Sequence, residues 1–371
     1  MKRSFIREIL ESIDGETISF AGGLPDEKLF PLQELKDAAI KAFEDPKNLQ
    51  YTLSNGIKPL REKIAGFYNK EGFATKPENI LVTTGSQQGL YVIAKYFSGK
   101  PIVVEEPSYL GAVNVFKMNA LLMQPTKLNF DGIDADAFAQ NYKDAKLAYL
   151  IPDFQNPTGS QYNEQRRDAV AKIVAKEGGY IIEDAPYSEL YFGSKMQNIS
   201  SRIPDNSLHL GSFSKTLSPS LRIGWIRGNE EIIRALTMIK ETIDLHSSSL
   251  SQYVLSNYLE DEARYEKHLE TLRAAYKEKA DMFVEALRAE LPEFEFETPK
   301  GGMFVFGRLK GFDTFKLVYE CMKEKVVYVP ANQFFQDGRV SDEIRFNYTY
   351  STKEQMHEGL RRIARVIRVK R

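Results

Sequence analysis

The chain has 371 residues, 42% of them hydrophobic and 27% charged. That balance belongs to globular proteins, and the length exceeds what one hydrophobic core serves, so two domains are expected. Fifty Lys and Arg against 51 Asp and Glu leave a formal charge of -1, which gives no reason to expect nucleic acid or an anionic membrane as a partner. The single cysteine, Cys321, has no partner for an internal disulfide and reads as a small buried apolar residue. The N-terminus MKRSFIREILESID carries acid early and lacks a signal peptide's apolar core. No stretch reaches the ~18 apolar residues of a membrane span. A cytoplasmic location without a membrane partner is therefore expected, and no metal site is.

Taken in order, the central elements alternate. Ile80 to Val82 reads as a strand ending at Thr83-Thr84-Gly85, followed by a helix over Gln87 to Phe97. Ile102 to Val104 and Leu147 to Ile151 read as strands. Asn163 to Lys176 reads as a helix opening on an Asn163 cap. Tyr180 to Ile182 and Ser207 to Leu210 are strands again. These runs lack strict alternation, as strands buried on both faces do. Strand and helix in turn predict an α/β fold, a mostly parallel sheet flanked by helices. Further on, Tyr265, Leu269, Leu272, Tyr276, Ala280, Phe283 and Leu287 recur at spacings of three and four, one face of a long amphipathic helix. Met303 to Phe306 and Val326 to Val329 read as strands. A closing helix carries Met356, Leu360, Ile363 and Ile367 on one face. These stripes are core packing, and they predict a smaller α+β domain.

Five segments follow strand ends, where open α/β sheets gather ligands. The first is Gly211-Ser212-Phe213-Ser214-Lys215, with Arg222 downstream. Hydroxyls and a guanidinium suit a phosphate dianion. An amine held in such a pocket can lose its proton and attack a carbonyl; taken alone, the segment reads as a surface turn with a solvated Lys. The second is Glu183-Asp184-Ala185-Pro186-Tyr187. An acid leaving a buried strand is held ionised by an opposite charge, such as a protonated pyridine nitrogen; the plain alternative is a helix cap. In Asp153-Phe154-Gln155-Asn156-Pro157-Thr158-Gly159 a turn places the Asn156 amide at a strand end. Thr84-Gly85-Ser86-Gln87-Gln88 is a strand-to-helix turn whose free N–H groups can bind phosphate or be an ordinary capped start. Tyr109, in Glu106-Pro107-Ser108-Tyr109, is an aromatic able to stack on a planar ring.

In this order and at these separations the segments resemble the fold-type I pyridoxal-phosphate enzymes, in the class I/II aminotransferase branch. The likeness runs from Ser19-Phe20-Ala21-Gly22-Gly23-Leu24-Pro25 to Ile344-Arg345-Phe346-Asn347. Ser19 to Pro31, with the Asn-Pro-Thr-Gly turn, looks most like the 2-aminoadipate and kynurenine aminotransferases. The resemblance implies a large cofactor domain with a seven-stranded type of sheet over residues 41–268, and a small domain from 1–40 and 269–371. It implies pyridoxal 5'-phosphate held as an imine on Lys215, which then moves the α-proton. Asp184 would hold the pyridine nitrogen protonated, Tyr187 and Asn156 would bond the ring oxygen, and Tyr109 would stack. Ser212, Arg222, the N–H groups of Ser86 and Gln87, and Tyr51 from a second subunit would hold the phosphate, which implies a homodimer with shared sites. Arg345 would clamp the substrate α-carboxylate, with Asn156 beside it and the backbone at Gly22 and Gly23 closing over it. Arg7 would read a distal carboxylate, unless it is only part of a charged helix face. Pro186 departs from the family's usual Ala. The implied reaction moves an amino group between an amino acid and a 2-oxo acid, with glutamate and 2-oxoglutarate as one pair.

Other readings compete. A decarboxylase, lyase or synthase of the same fold needs the same Lys215 and Asp184. An effector-sensing regulator would carry a winged-helix domain of ~60 to 80 residues ahead of the fold, for which Phe20 to Pro25 leaves no room here. A cofactor-free binding protein is the remaining alternative.

Overall fold

The computed structural model describes residues 14–370. The short apolar runs assemble into a sheet of eight strands. Their spatial order is Ile80–Thr83, Gly224–Arg227, Ser207–Ser212, Tyr180–Asp184, Leu147–Leu150, Pro101–Glu106, Leu122–Asn129 and Gly132–Ile133. From Ser207–Ser212 to Leu122–Asn129 neighbours run parallel. Gly224–Arg227 is antiparallel to both its neighbours. Every residue of Ile80–Thr83, Leu147–Leu150 and Ser207–Ser212 is buried, which is why these strands show no alternation. The eighth strand is a two-residue edge hairpin partner of Leu122–Asn129, too short to leave a pattern. Leu122–Asn129 itself contains Pro125 and is mostly exposed or half-buried, so its sequence gives little sign of a strand.

The helix following Asn163 is Glu164–Glu177, and the Asn163 side chain caps it by accepting from Arg166 N at 2.8 Å. The amphipathic stripe becomes the helix Glu262–Glu290, with all seven of its predicted residues buried. That one face serves three cores in succession. Tyr265 and Leu269 pack with Ile64, Leu255 and Phe213. Leu272 and Tyr276 pack beneath the parallel sheet with Met303 and Phe304. Ala280, Phe283 and Leu287 join the C-terminal core with Val318, Phe346 and Ile363. Fully burying side chains of this size contributes roughly 1.5–3 kcal/mol each, so the helix fastens the cores to one another.

The C-terminal part holds an antiparallel sheet in the order Glu295–Phe296, Phe304–Arg308, Glu343–Asn347 and Val329–Pro330. Ile18–Ser19 pairs in parallel with Val326–Val327, and Phe20 meets Phe283 and Phe346 edge-on. Residues 32–43 go elsewhere: the helix Leu32–Phe43 buries Ala38 and Ala42 with Leu60 and Leu255. A boundary after residue 40 falls inside that helix, and the chain crosses between the two cores over residues 22–31.

Candidate active site

The parallel strands deliver their chemistry at their carboxyl ends. Asp184 is the last residue of Tyr180–Asp184, buried to 3% exposure. It caps no helix. Its Oδ2 accepts from Tyr149 Oη at 2.7 Å, while its Oδ1 is buried with no hydrogen-bond partner among the described residues. Burial raises its pKa to about 7, against which the Tyr149 hydrogen bond pulls down. A buried carboxylate oxygen without a donor is costly unless a ligand supplies one. A protonated ring nitrogen is a donor of that kind.

Lys215 follows the strand Ser207–Ser212, and its Nζ donates to Gly23 O at 2.6 Å. Burial, then Arg345 and Arg222, lower its pKa to about 8. The amine is thus far closer to its neutral, nucleophilic form at neutral pH than a surface lysine. Arg345 is buried within Glu343–Asn347. Its Nη1 donates to Asn156 Oδ1 at 2.8 Å and its Nη2 to Ala21 O at 2.5 Å. The guanidinium lies over the rings of Phe304 and Phe334, at 4.4 and 5.3 Å from their centroids. Taken alone the residue reads as a solvent-facing strand Arg; instead it is held flat inside the protein. The Asn156 amide in turn donates to Tyr187 Oη at 3.5 Å.

At the other end, the helix Ser86–Tyr96 begins directly after Gly85, whose φ of +73° lets the chain turn from strand to helix. Arg222 stands over this start. Its Nη2 donates to Thr84 O at 3.4 Å and its Nη1 to Ser214 Oγ at 3.4 Å. Helix N–H groups, hydroxyls and an arginine make an anion cradle. Tyr109 joins it, donating to Gln87 Oε1 at 3.4 Å.

The structure therefore brings Lys215, Asp184, Tyr187, Asn156, Arg345 and the Gly22-Gly23 backbone together, with Ser86, Gln87, Tyr109 and Arg222 at one end. Ser212 is close in sequence, but its Oγ accepts from Ser214 N at 3.1 Å; the hydroxyl touching Arg222 is that of Ser214. Tyr51 is 78% exposed and meets His246 edge-on at 5.7 Å. Arg7 lies outside the described residues. Sequence reasoning passed over Tyr149 and the carbonyl of Ala21. The signal for Tyr149 was present: a phenol inside the buried strand Leu147–Leu150 needs a partner for its hydroxyl.

A buried lysine with a lowered pKa, an acid with an open oxygen, an anion cradle and a buried arginine on an open α/β sheet are the features of a fold-type I pyridoxal-phosphate enzyme. The chain belongs to the class I and II aminotransferases, whose family model matches residues 18–363. It is 35% identical to the 2-aminoadipate transaminase of Thermus thermophilus, over 99% of this chain and 94% of that protein. The kynurenine aminotransferase of Pyrococcus horikoshii, solved with PMP and kynurenine, superposes with a TM-score of 0.94 at 32% identity, covering 100% of this chain and 95% of that one. The solved α-aminoadipate aminotransferase of Thermus thermophilus, complexed with N-(5'-phosphopyridoxyl)-L-leucine, gives 0.92 at 34% identity, covering 99% and 95%. The protein is a pyridoxal-phosphate-dependent aminotransferase, acting on amino acids and 2-oxo acids. Among the described residues no helix is long and apolar enough to cross a membrane.

Proposed function

We propose that the enzyme passes amino groups between glutamate and a second amino acid with a longer or less polar side chain, using the residues assembled above. The observation that carries this reading is the Arg345 guanidinium. It is buried, bonded on one side to Asn156 and on the other to the Ala21 carbonyl, two residues before the Gly23 carbonyl that receives Lys215 Nζ. One fixed arginine suits the α-carboxylate that all donors share. Side-chain differences must then be read elsewhere. The relatives named for aminoadipate and kynurenine, and the bound leucine adduct, span acidic, aromatic and aliphatic side chains.

Pyridoxal phosphate, when bound, supplies an electron sink for charge left at the substrate Cα. Lys215 Nζ would be the point of attachment and would then take and return the α-proton. Asp184 Oδ1 would hold the ring nitrogen's proton, since Tyr149 already occupies the other oxygen. Tyr187 and Asn156 would bond the ring oxygen, and Tyr109 would stack on the ring. Arg222, Ser212, Ser86 N and Gln87 N hold the phosphate. The Gly22 and Gly23 backbone closes over the substrate carboxylate.

We also propose a homodimer with Tyr51 reaching the neighbour's phosphate. Tyr51 is exposed, as are its chain neighbours Leu49 and Leu53 and, beside its contact His246, Leu245, a composition that suits a surface covered by a second copy. The domain division we propose has the residue 18–21 segment in the small domain and the helix Glu262–Glu290 running between the two. A panel of amino donors against 2-oxoglutarate, following keto-acid formation, tests the substrate reading. Borohydride trapping tests the attachment: the adduct should fall on the Lys215 peptide and vanish in Lys215→Ala. An adduct on another lysine defeats the assignment.

A further inference from the structure

Glu105 has no place in the site described above, yet it is a fully buried, heavily bonded acid close to it. It lies on Pro101–Glu106 with 1% exposure. Its Oε1 accepts from Ile151 N at 3.0 Å and from Tyr162 Oη at 2.7 Å. Its Oε2 accepts from Gln155 Nε2 at 3.0 Å. Three donors converge on one carboxylate and favour its ionised form, while burial works against them and raises its pKa to about 7.

Gln155 passes this anchoring on. Its second Nε2 hydrogen goes to Pro107 O at 2.9 Å. Its Oε1 accepts from Thr158 N at 2.9 Å and from Thr158 Oγ1 at 2.8 Å. Every polar atom of the Gln155 side chain is thereby engaged, and its amide can point only one way. Gln155 directly precedes Asn156, and Pro107 lies two residues before Tyr109. Glu105 and Gln155 together tie the turn carrying Tyr109 to the turn carrying Asn156.

We propose that Glu105 is a positioning residue for the aminotransferase reaction: its carboxylate, acting through Gln155, fixes the turns that hold Tyr109 and Asn156 against the cofactor. The inference rests on the roles given to Asn156 and Tyr109 above. Glu105 itself touches neither substrate nor cofactor.

The isosteric change Glu105→Gln exposes the logic. An amide at 105 can still accept from Ile151 and Tyr162, but its NH2 then meets the NH2 of Gln155. To avoid two donors facing, Gln155 must flip. Its oxygen then faces the Pro107 carbonyl, and Thr158 N loses its acceptor. The exchange Glu105→Gln with Gln155→Glu restores most of the pattern. The new amide donates to the new carboxylate, whose second oxygen accepts from Thr158; the bond to Pro107 is lost and an oxygen faces that carbonyl in its place.

The test uses the holoenzyme and reads the visible circular dichroism of bound cofactor, its dissociation constant, kcat and KM. Glu105→Gln should change the ellipticity, weaken cofactor retention about ten-fold and lower kcat more than it raises KM. The double exchange should recover most of both losses. If Glu105→Gln does not fold, Gln155→Met, which leaves the carboxylate but cuts the bridge, should give the same ellipticity change. A lower melting temperature with unchanged ellipticity and kinetics would make Glu105 merely structural and overturn the inference, as would a double exchange that recovers nothing. Asn156→Ala and Tyr109→Ala separate the two levels. If those variants leave ellipticity and retention unchanged, the underlying roles fail and this inference with them. If they change it and neither Glu105→Gln nor Gln155→Met does, this inference alone fails.

Discussion

At the scale of single residues, the site is a set of groups held away from their ordinary ionisation. Lys215 has its pKa lowered to about 8 by burial and by Arg345 and Arg222. A base with a depressed pKa gains its neutral form as pH rises through the shifted value. The cofactor-free protein should therefore capture pyridoxal phosphate at a rate that climbs through about pH 8. A rate still rising steeply toward the ordinary lysine value near 10.5 would show that the amine is not shifted. Asp184 makes a different demand. In the role proposed for it, its open Oδ1 acts on charge that develops during reaction, so its loss should tell on kcat more than on binding. Asp184→Ala should keep the Lys215 adduct while kcat falls about a thousand-fold, roughly 4 kcal/mol of barrier. Wild-type turnover in that variant would remove the role. For Arg7 the expectation rests on sequence alone. Arg7→Ala should cut kcat/KM for glutamate about ten-fold, some 1.4 kcal/mol, and spare leucine; equal losses for both donors would mark it as structural.

At the scale of elements, the cradle depends on close approach of backbone. Gly224 opens the antiparallel strand Gly224–Arg227, and a Cβ there would stand 2.6 Å from Ser86 N and 2.7 Å from the Gly85 carbonyl carbon. Backbone cannot rotate away as a side chain can. Gly224→Ala should displace the helix start and weaken cofactor retention ten-fold or more, measured by equilibrium dialysis. Gly66, inside the helix Lys58–Lys70, has nothing within 4 Å of its Cβ position. Gly66→Ala should raise stability by about 0.5–1 kcal/mol and leave retention untouched. If the two variants behave alike, close packing at Gly224 is not what sets the cradle. The helices and buried strands here were legible because periodicity and caps are local properties, as at Asn163. The strand Leu122–Asn129 was not, because its identity comes from pairing with Pro101–Glu106 and not from its own pattern.

At the scale of the whole molecule, the proposed sharing of sites makes a sharp prediction. Tyr51→Ala and Lys215→Ala chains should each be weak alone. Mixed after mild dissociation, they should regain up to about a quarter of wild-type activity, since a random hybrid joins one intact lysine with one intact tyrosine. No recovery, with hybrids verified by mass, would place Tyr51 outside its neighbour's site. What the sequence by itself determined was the chemistry and its order along the chain. Asp184 closes a strand, and Lys215 and Asn156 follow strands, whose apolar runs are readable without coordinates; Arg345 lies within a strand. What only the tertiary structure decided were the partnerships. Tyr149 with Asp184, Arg345 with Ala21, and Glu105 with Gln155 are separated by 35, 324 and 50 residues. The physical reason is the range of each signal. Periodicity, caps and turns act over a few residues and leave their trace in composition. A hydrogen bond between distant segments exists only once packing has brought its two ends together, and nothing near either residue in the chain records it.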